Sequence, residues 1–66
     1  MNVLVNGTPT TLDDGATVEA VLAWLDLPDR CVAVAVDAEV VPRGEWPAHA
    51  LSEGARVEIL RAIQGG

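Results

Sequence analysis

Hydrophobic positions along the chain switch between two periods, and each switch marks an element. Met1, Val3 and Val5 alternate with Asn2 and Leu4, the two-residue period of a strand with at least one buried face. Asn6 and Gly7 follow at once. Both tolerate the positive φ that a type I′ turn requires, and the twist of that turn suits a hairpin. Residues 8–12 (TPTTL) should therefore return antiparallel. Pro9 has no backbone N–H, so this second strand belongs at a sheet edge.

Residues 13–16 (DDGA) read as a turn, after which the period lengthens. Val18, Val21, Leu22 and Leu25 fall at i, i+3, i+4 and i+7, one apolar stripe on one helix. Thr17 is placed to cap its N-terminus, Glu19 sits in the first turn where the helix dipole favours a carboxylate, and Pro28 stops it. Trp24 lies on the flank of the stripe. Residues 31–36 (CVAVAV) form a continuous apolar run, predicting a strand covered on both faces. Residues 37–39 turn the chain into a short strand at Val40 and Val41. Residues 42–55 read as loop, with one short helical turn expected near Pro47–Leu51. Residues 56–63 (RVEILRAI) make the last strand, Val57 and Ile59 pointing one way and Glu58 and Leu60 the other.

The order is hairpin, helix, two strands, loop, strand. It predicts an α+β fold in which a mixed sheet of four or five strands curls around one helix. The first and last strands would lie side by side and parallel in the centre. Only one face of such a sheet is covered by the helix, so an exposed apolar patch of the kind that marks docking sites is expected on the other.

Composition narrows the picture. Sixty-six residues allow one domain, and so short a chain buries only roughly 60% of its unfolded surface, so its stability is expected to be modest. Phe and Tyr are absent, leaving Val, Leu, Ile and Ala with Trp24 and Trp46 as the only aromatics. The net charge is −6 and the cations are Arg30, Arg43, Arg56 and Arg61. This balance argues against nucleic acid and anionic membranes as partners, and favours a protein partner with a positive face. With no lysine, the chain cannot build lysine-linked chains of itself. One cysteine allows no internal disulfide. No signal-peptide pattern and no membrane-length apolar run are present, so the expected location is cytoplasmic.

Enzyme chemistry finds no foothold. His49 is isolated in a loop, and Cys31 opens an apolar strand where a small buried hydrophobe fits. Asp13 and Asp14 suit a turn better than a metal, and no phosphate-binding loop occurs. No catalytic residue, metal site or bound cofactor is expected.

That leaves the tail, Gln64-Gly65-Gly66. The chain is read as ending naturally at Gly66, and the tail as flexible. Three extended residues span about 10 Å, and two residues without Cβ can thread a channel too narrow for side chains. The α-carboxylate of Gly66 is then an unhindered nucleophile toward the α-phosphate of ATP. Adenylation would turn a poor acyl donor into one that sulfur can attack.

These residues resemble a known family. GATVEAVLAWLDLP, VAVAVDAEVVPRGEW and LSEGARVEILRAIQGG, together with the opening MNVLVNG, are similar to the bacterial ubiquitin-like sulfur carriers, and most to the ThiS family of thiamine thiazole biosynthesis. The likeness covers the whole chain, and VVPRGEW is its most discriminating segment. Asp37 departs from it, standing where the family commonly has asparagine. The resemblance implies a β-grasp fold over residues 1–66. It implies that an E1-like, ThiF-type adenylating enzyme uses Mg-ATP to activate Gly66. Sulfur derived from a cysteine desulfurase then gives a thiocarboxylate, which feeds a ThiG-type thiazole synthase. The protein would be a co-substrate, with Gly65 and Gln64 threading into the partner. Arg43, Arg61 and Ile63 are candidates for docking because they lie near the tail.

Three alternatives remain open on the sequence. The same tail chemistry serves the small subunit of molybdopterin synthase and carriers of other pathways. A ubiquitin-like modifier joined to target amines would share the ending. A plain interaction domain would carry glycines with no task.

Overall fold

The computed structural model describes residues 1–26 and 32–61. The chain runs β1 (Asn2–Val5), β2 (Thr8–Thr11), α1 (Val18–Trp24), β3 (Val32–Val36), β4 (Glu39–Val41), a 3₁₀ turn (Arg43–Glu45) and β5 (Arg56–Arg61). The strands form one five-stranded sheet in the order β2-β1-β5-β3-β4. β1 and β5 are the parallel central pair, and the other pairings are antiparallel. This is the β-grasp arrangement.

Both hairpins follow from their turn residues. Asn6 and Gly7 sit at φ 50° and 80° between the paired Val5 and Thr8, as a two-residue type I′ turn requires. Asp37 and Ala38 repeat the geometry at φ 50° and 71° between Val36 and Glu39. Alanine in that region carries a steric cost that asparagine, aspartate and glycine largely avoid. Pro9 lies in edge strand β2, and Pro42 follows edge strand β4, where a missing N–H breaks no ladder and discourages pairing with foreign strands.

One face of the sheet packs on α1. Val3, Val5, Val34, Val36, Val41, Val57 and Ile59 point inward from the strands, and Val18, Val21 and Leu22 meet them from the helix. Leu25, the last residue of the predicted stripe, is the helix C-cap and packs partly buried against the core. The Thr17 hydroxyl accepts from the Ala20 N–H at 3.2 Å, as expected of an N-cap.

The long loop departs from expectation. The helical turn forms at Arg43–Glu45, not near Pro47–Leu51. The later residues instead serve the start of α1. The Val18 N–H donates to the His49 carbonyl at 3.0 Å and the Glu19 N–H to the Trp46 carbonyl at 3.2 Å, while Thr17 and Ala50 form an isolated bridge. First-turn N–H groups have no partner within their own helix, so the loop supplies them. Trp46 enters the core at 4% exposure, its indole N–H donating to the Val41 carbonyl at 2.9 Å.

The apolar run of β3 also differs from prediction. Val34 and Val36 are buried, but on the opposite face Ala33 is exposed and Ala35 only half-buried. An alanine methyl satisfies an apolar pattern while needing little cover, and among the described residues no second layer lies over that face. Cys31, the first residue of the predicted strand, lies outside the described residues.

Candidate functional site

The site is built around β5, the strand that leads to the tail. Strand alternation buries Val57 and Ile59 under the helix and sends Arg56, Glu58 and Leu60 to the open face. Leu60 is 64% exposed and stands opposite Ala33. Val40, 76% exposed, stands opposite Ala35. With half-buried Leu4 beside Arg56, they make an exposed apolar patch of the kind the sequence predicts, uncovered among the described residues. Between β1 and β5 this face dips into an open groove of about 370 Å³ bordered by Leu4, Asn6, Gly7, Arg56, Glu58 and Leu60.

Two side chains fix β5 from its flanks. β1 leaves the sheet at Val5 while β5 continues to Arg61. Asn6 covers the step: its Oδ1 accepts from the Ile59 N–H at 2.7 Å, and its Nδ2 donates to the Ile59 carbonyl at 3.3 Å. The Asn6 backbone N–H donates to the Val57 carbonyl at 2.8 Å, so the carboxamide extends the ladder by one residue. At the other end, Asp37 Oδ1 accepts from the Arg56 N–H at 3.0 Å and the Asp37 N–H donates to the Arg56 carbonyl at 2.9 Å. The same two residues that permit the hairpin turns therefore hold the central strand. Asparagine or aspartate at positive φ was the available signal, and turn reading alone does not reveal the second task.

Of the predicted docking residues, Arg61 is the exposed last residue of β5. Arg43 is exposed at the start of the 3₁₀ turn. β4 and β5 both run antiparallel to β3, and Val41 aligns with Val34, which aligns with Ile59. Arg43 follows Val41 and Arg61 follows Ile59 by two residues, so both lie toward the same end of the sheet. Ile63, Gln64, Gly65 and Gly66 lie outside the described residues. Leu60 and Val40 are exposed nearby, and sequence reasoning did not put them forward as docking residues although it placed Leu60 on the outer face.

His49 is half-buried in the loop under α1, its carbonyl engaged by Val18. Among the described residues no three His, Cys, Asp or Glu side chains gather as metal ligands. No helix among them is long and apolar enough to cross a membrane.

The model of the ThiS family matches residues 3–66. The chain is 30% identical over 66 residues to the sulfur carrier protein ThiS of Escherichia coli, covering 100% of both. It is 35% identical to a thiazole synthase of Paramagnetospirillum magneticum, all of this chain matching 20% of that protein. A thiazole synthase of Magnetococcus marinus matches likewise, at 35% identity and 20% of its length. The chain thus spans about a fifth of the thiazole synthases it matches. In three dimensions it resembles the crystal structure of a thiamine biosynthesis protein (ThiS) from Geobacter metallireducens, with a TM-score of 0.84, 33% identity and 100% coverage of both chains.

Proposed function

The chain belongs to the ThiS family, and on that footing we propose that it carries sulfur as a thiocarboxylate on Gly66 for building the thiazole ring of thiamine. The observation that supports this most is that the family match runs through the final glycines, so the likeness includes the working end as well as the scaffold.

The chemistry follows from a carboxylate being a poor acyl donor. A Gly66 carboxylate oxygen attacks the α-phosphorus of Mg-ATP on an E1-like adenylating enzyme. One P–O bond forms, the bond to the β-phosphate breaks, and pyrophosphate leaves. The acyl-adenylate carries a good leaving group. The terminal sulfur of a persulfide, formed from cysteine by a desulfurase, attacks the acyl carbon and expels AMP. A thiol then attacks the sulfur–sulfur bond of the acyl disulfide and reduces it, leaving the thiocarboxylate and a new disulfide. The protein is a co-substrate: it contributes the acyl group and the surface by which partners hold it. ATP and a reduced sulfur source place the work in the cytoplasm.

The scaffold has a physical part in this. β5 is hydrogen-bonded on both flanks up to Ile59, and Gly66 lies five residues beyond Arg61, a reach of about 17 Å when extended. Gln64, Gly65 and Gly66 present a slender end to an enclosed site. The open face with Leu60 and Val40, flanked by Arg43 and Arg61, is the docking surface of this reading, and Ile63, two residues after Arg61 in the sequence, is kept as a candidate. Thiazole synthase as acceptor draws support from the two proteins of that name that contain a segment like this chain.

Pyrophosphate exchange tests the first step. With the adenylating enzyme, labelled pyrophosphate should enter ATP only when the chain is present, and removal of Gly66 should abolish the exchange. Exchange that persists without Gly66 contradicts the assignment.

A further inference from the structure

The helix side of the molecule carries a feature that the sulfur-carrier chemistry does not use. Trp24, the last residue of α1, is 63% exposed. It stands as a ridge between two hollows along the seam of α1 and edge strand β2. One, of about 310 Å³, is bordered by Leu12, Asp13, Ala16 and Ala20. The other, of about 300 Å³, is bordered by Thr8, Thr10 and Leu25. Small side chains at Ala20 and the threonines leave the indole standing clear. An exposed tryptophan flanked by hollows offers a partner both a large apolar contact and room for its own side chains.

Charge says what kind of partner fits. Residues 1–26, which form the hairpin and helix, contain Asp13, Asp14, Glu19 and Asp26 and no lysine or arginine. Asp13 borders the hollow beside Trp24, and Asp26 follows two residues after it. Asp14 is paired with the Met1 ammonium at 3.3 Å. Arg43 lies in the 3₁₀ turn and Arg56 and Arg61 in β5, none of them bordering either hollow, and Arg30 lies outside the described residues. An indole face attracts a guanidinium or ammonium, and nearby carboxylates strengthen the pull.

We propose that Trp24 and its two flanking hollows form a second docking surface, which takes a protein face presenting arginine or lysine beside an apolar side chain. It lies on the helix side, opposite Leu60 and Val40, so both surfaces can be engaged at once. A carrier with its tail held by one protein could then be held or received by another. The identity of the partner, and so the choice of probe proteins, rests on the sulfur-carrier reading.

The test uses the full chain with the adenylating enzyme and, separately, the thiazole synthase of the same organism. Trp46 is buried, so acrylamide quenching of the free protein reports chiefly on Trp24. A tryptophan-free probe, each partner with its tryptophans replaced by phenylalanine and its activity checked, keeps the signal clean. Binding of one probe should shield Trp24. Trp24→Arg should weaken that binding about tenfold or more, the scale of an interface hot spot, and added salt should weaken it further. Leu60→Arg reports on the opposite face. Binding that is lost in Leu60→Arg, with Trp24 unshielded and Trp24→Arg neutral, overturns this surface and leaves the carrier reading intact. Shielding that rises with carrier concentration alone means a second copy of the chain and also overturns it. Binding of neither probe overturns both readings.

Discussion

Replacing Asn6 by glycine isolates the clamp on β5, because glycine keeps the backbone at φ 50° free of strain and removes only the carboxamide. Two hydrogen bonds are lost, at 2.7 Å and 3.3 Å, both partly buried and both to Ile59. A net hydrogen bond contributes about 0.5–1.5 kcal/mol, and the longer one belongs at the low end. Relief of the positive φ offsets part of the loss, whereas glycine's extra freedom in the unfolded chain adds to it. The expected destabilisation is about 1–2 kcal/mol, set against a total of roughly 3–10 kcal/mol for a domain of this size. At about 4–8 °C per kcal/mol, the melting temperature should fall by about 5–15 °C. Asn6→Asp keeps an acceptor for the Ile59 N–H but turns a second oxygen toward the Ile59 carbonyl, so it should fall at least as far at neutral pH. Far-UV circular dichroism gives the melting temperature, and amide hydrogen exchange gives the location. Ile59 should lose more protection than Val34 in the glycine variant. An unchanged melting temperature together with wild-type exchange at Ile59 would refute the clamp.

Other substitutions probe separate parts of the account. Ala38→Gly removes an alanine from φ 71° and should stabilise by about 0.5–1 kcal/mol, read as a higher urea midpoint; a lower midpoint means that the turn is not strained. Trp46→Phe strips a buried indole N–H from the Val41 carbonyl and shrinks a core side chain, for an expected loss of about 2–3 kcal/mol in the same assay, whereas a loss under 0.5 kcal/mol would place Trp46 outside the core. Thr17→Ala should cost about 1 kcal/mol through the lost cap, and Thr17→Ser should restore most of it. Leu60→Arg, on the open face, should leave stability within about 0.5 kcal/mol while weakening capture by the adenylating enzyme in pull-down; normal capture removes that face from the docking surface.

The sequence carried the fold because its strongest signals were local. Alternation in β1 and β5, the 3.6-residue stripe from Val18, the Thr17 cap and the Asn6-Gly7 turn each specify an element without help from the rest of the chain. The central parallel pair followed from having a strand at each end of the element order. What escaped was decided by distant partners. The loop at 46–50 gives its carbonyls to the first turn of α1, a demand set by an element nearly thirty residues earlier. Trp46 reads as loop by its neighbours and is core by its contacts. Alanines in β3 count as apolar in a pattern but need no covering layer, so continuous hydrophobicity overstated burial. At the candidate site, Leu60's orientation could be read from strand parity. The grip of Asn6 and Asp37 on β5 depends on register, which no local pattern encodes.

The claim on which the function depends is that sulfur becomes attached to Gly66, and intact mass measures it most directly. The protein should be incubated with Mg-ATP, its adenylating enzyme and a sulfide source, then weighed whole and after proteolysis. The account predicts a gain equal to exchanging one oxygen for one sulfur, confined to the peptide that contains Gly66 and absent when ATP or Gly66 is removed. An unchanged mass, with an enzyme that adenylates another carrier in the same mixture, would contradict it.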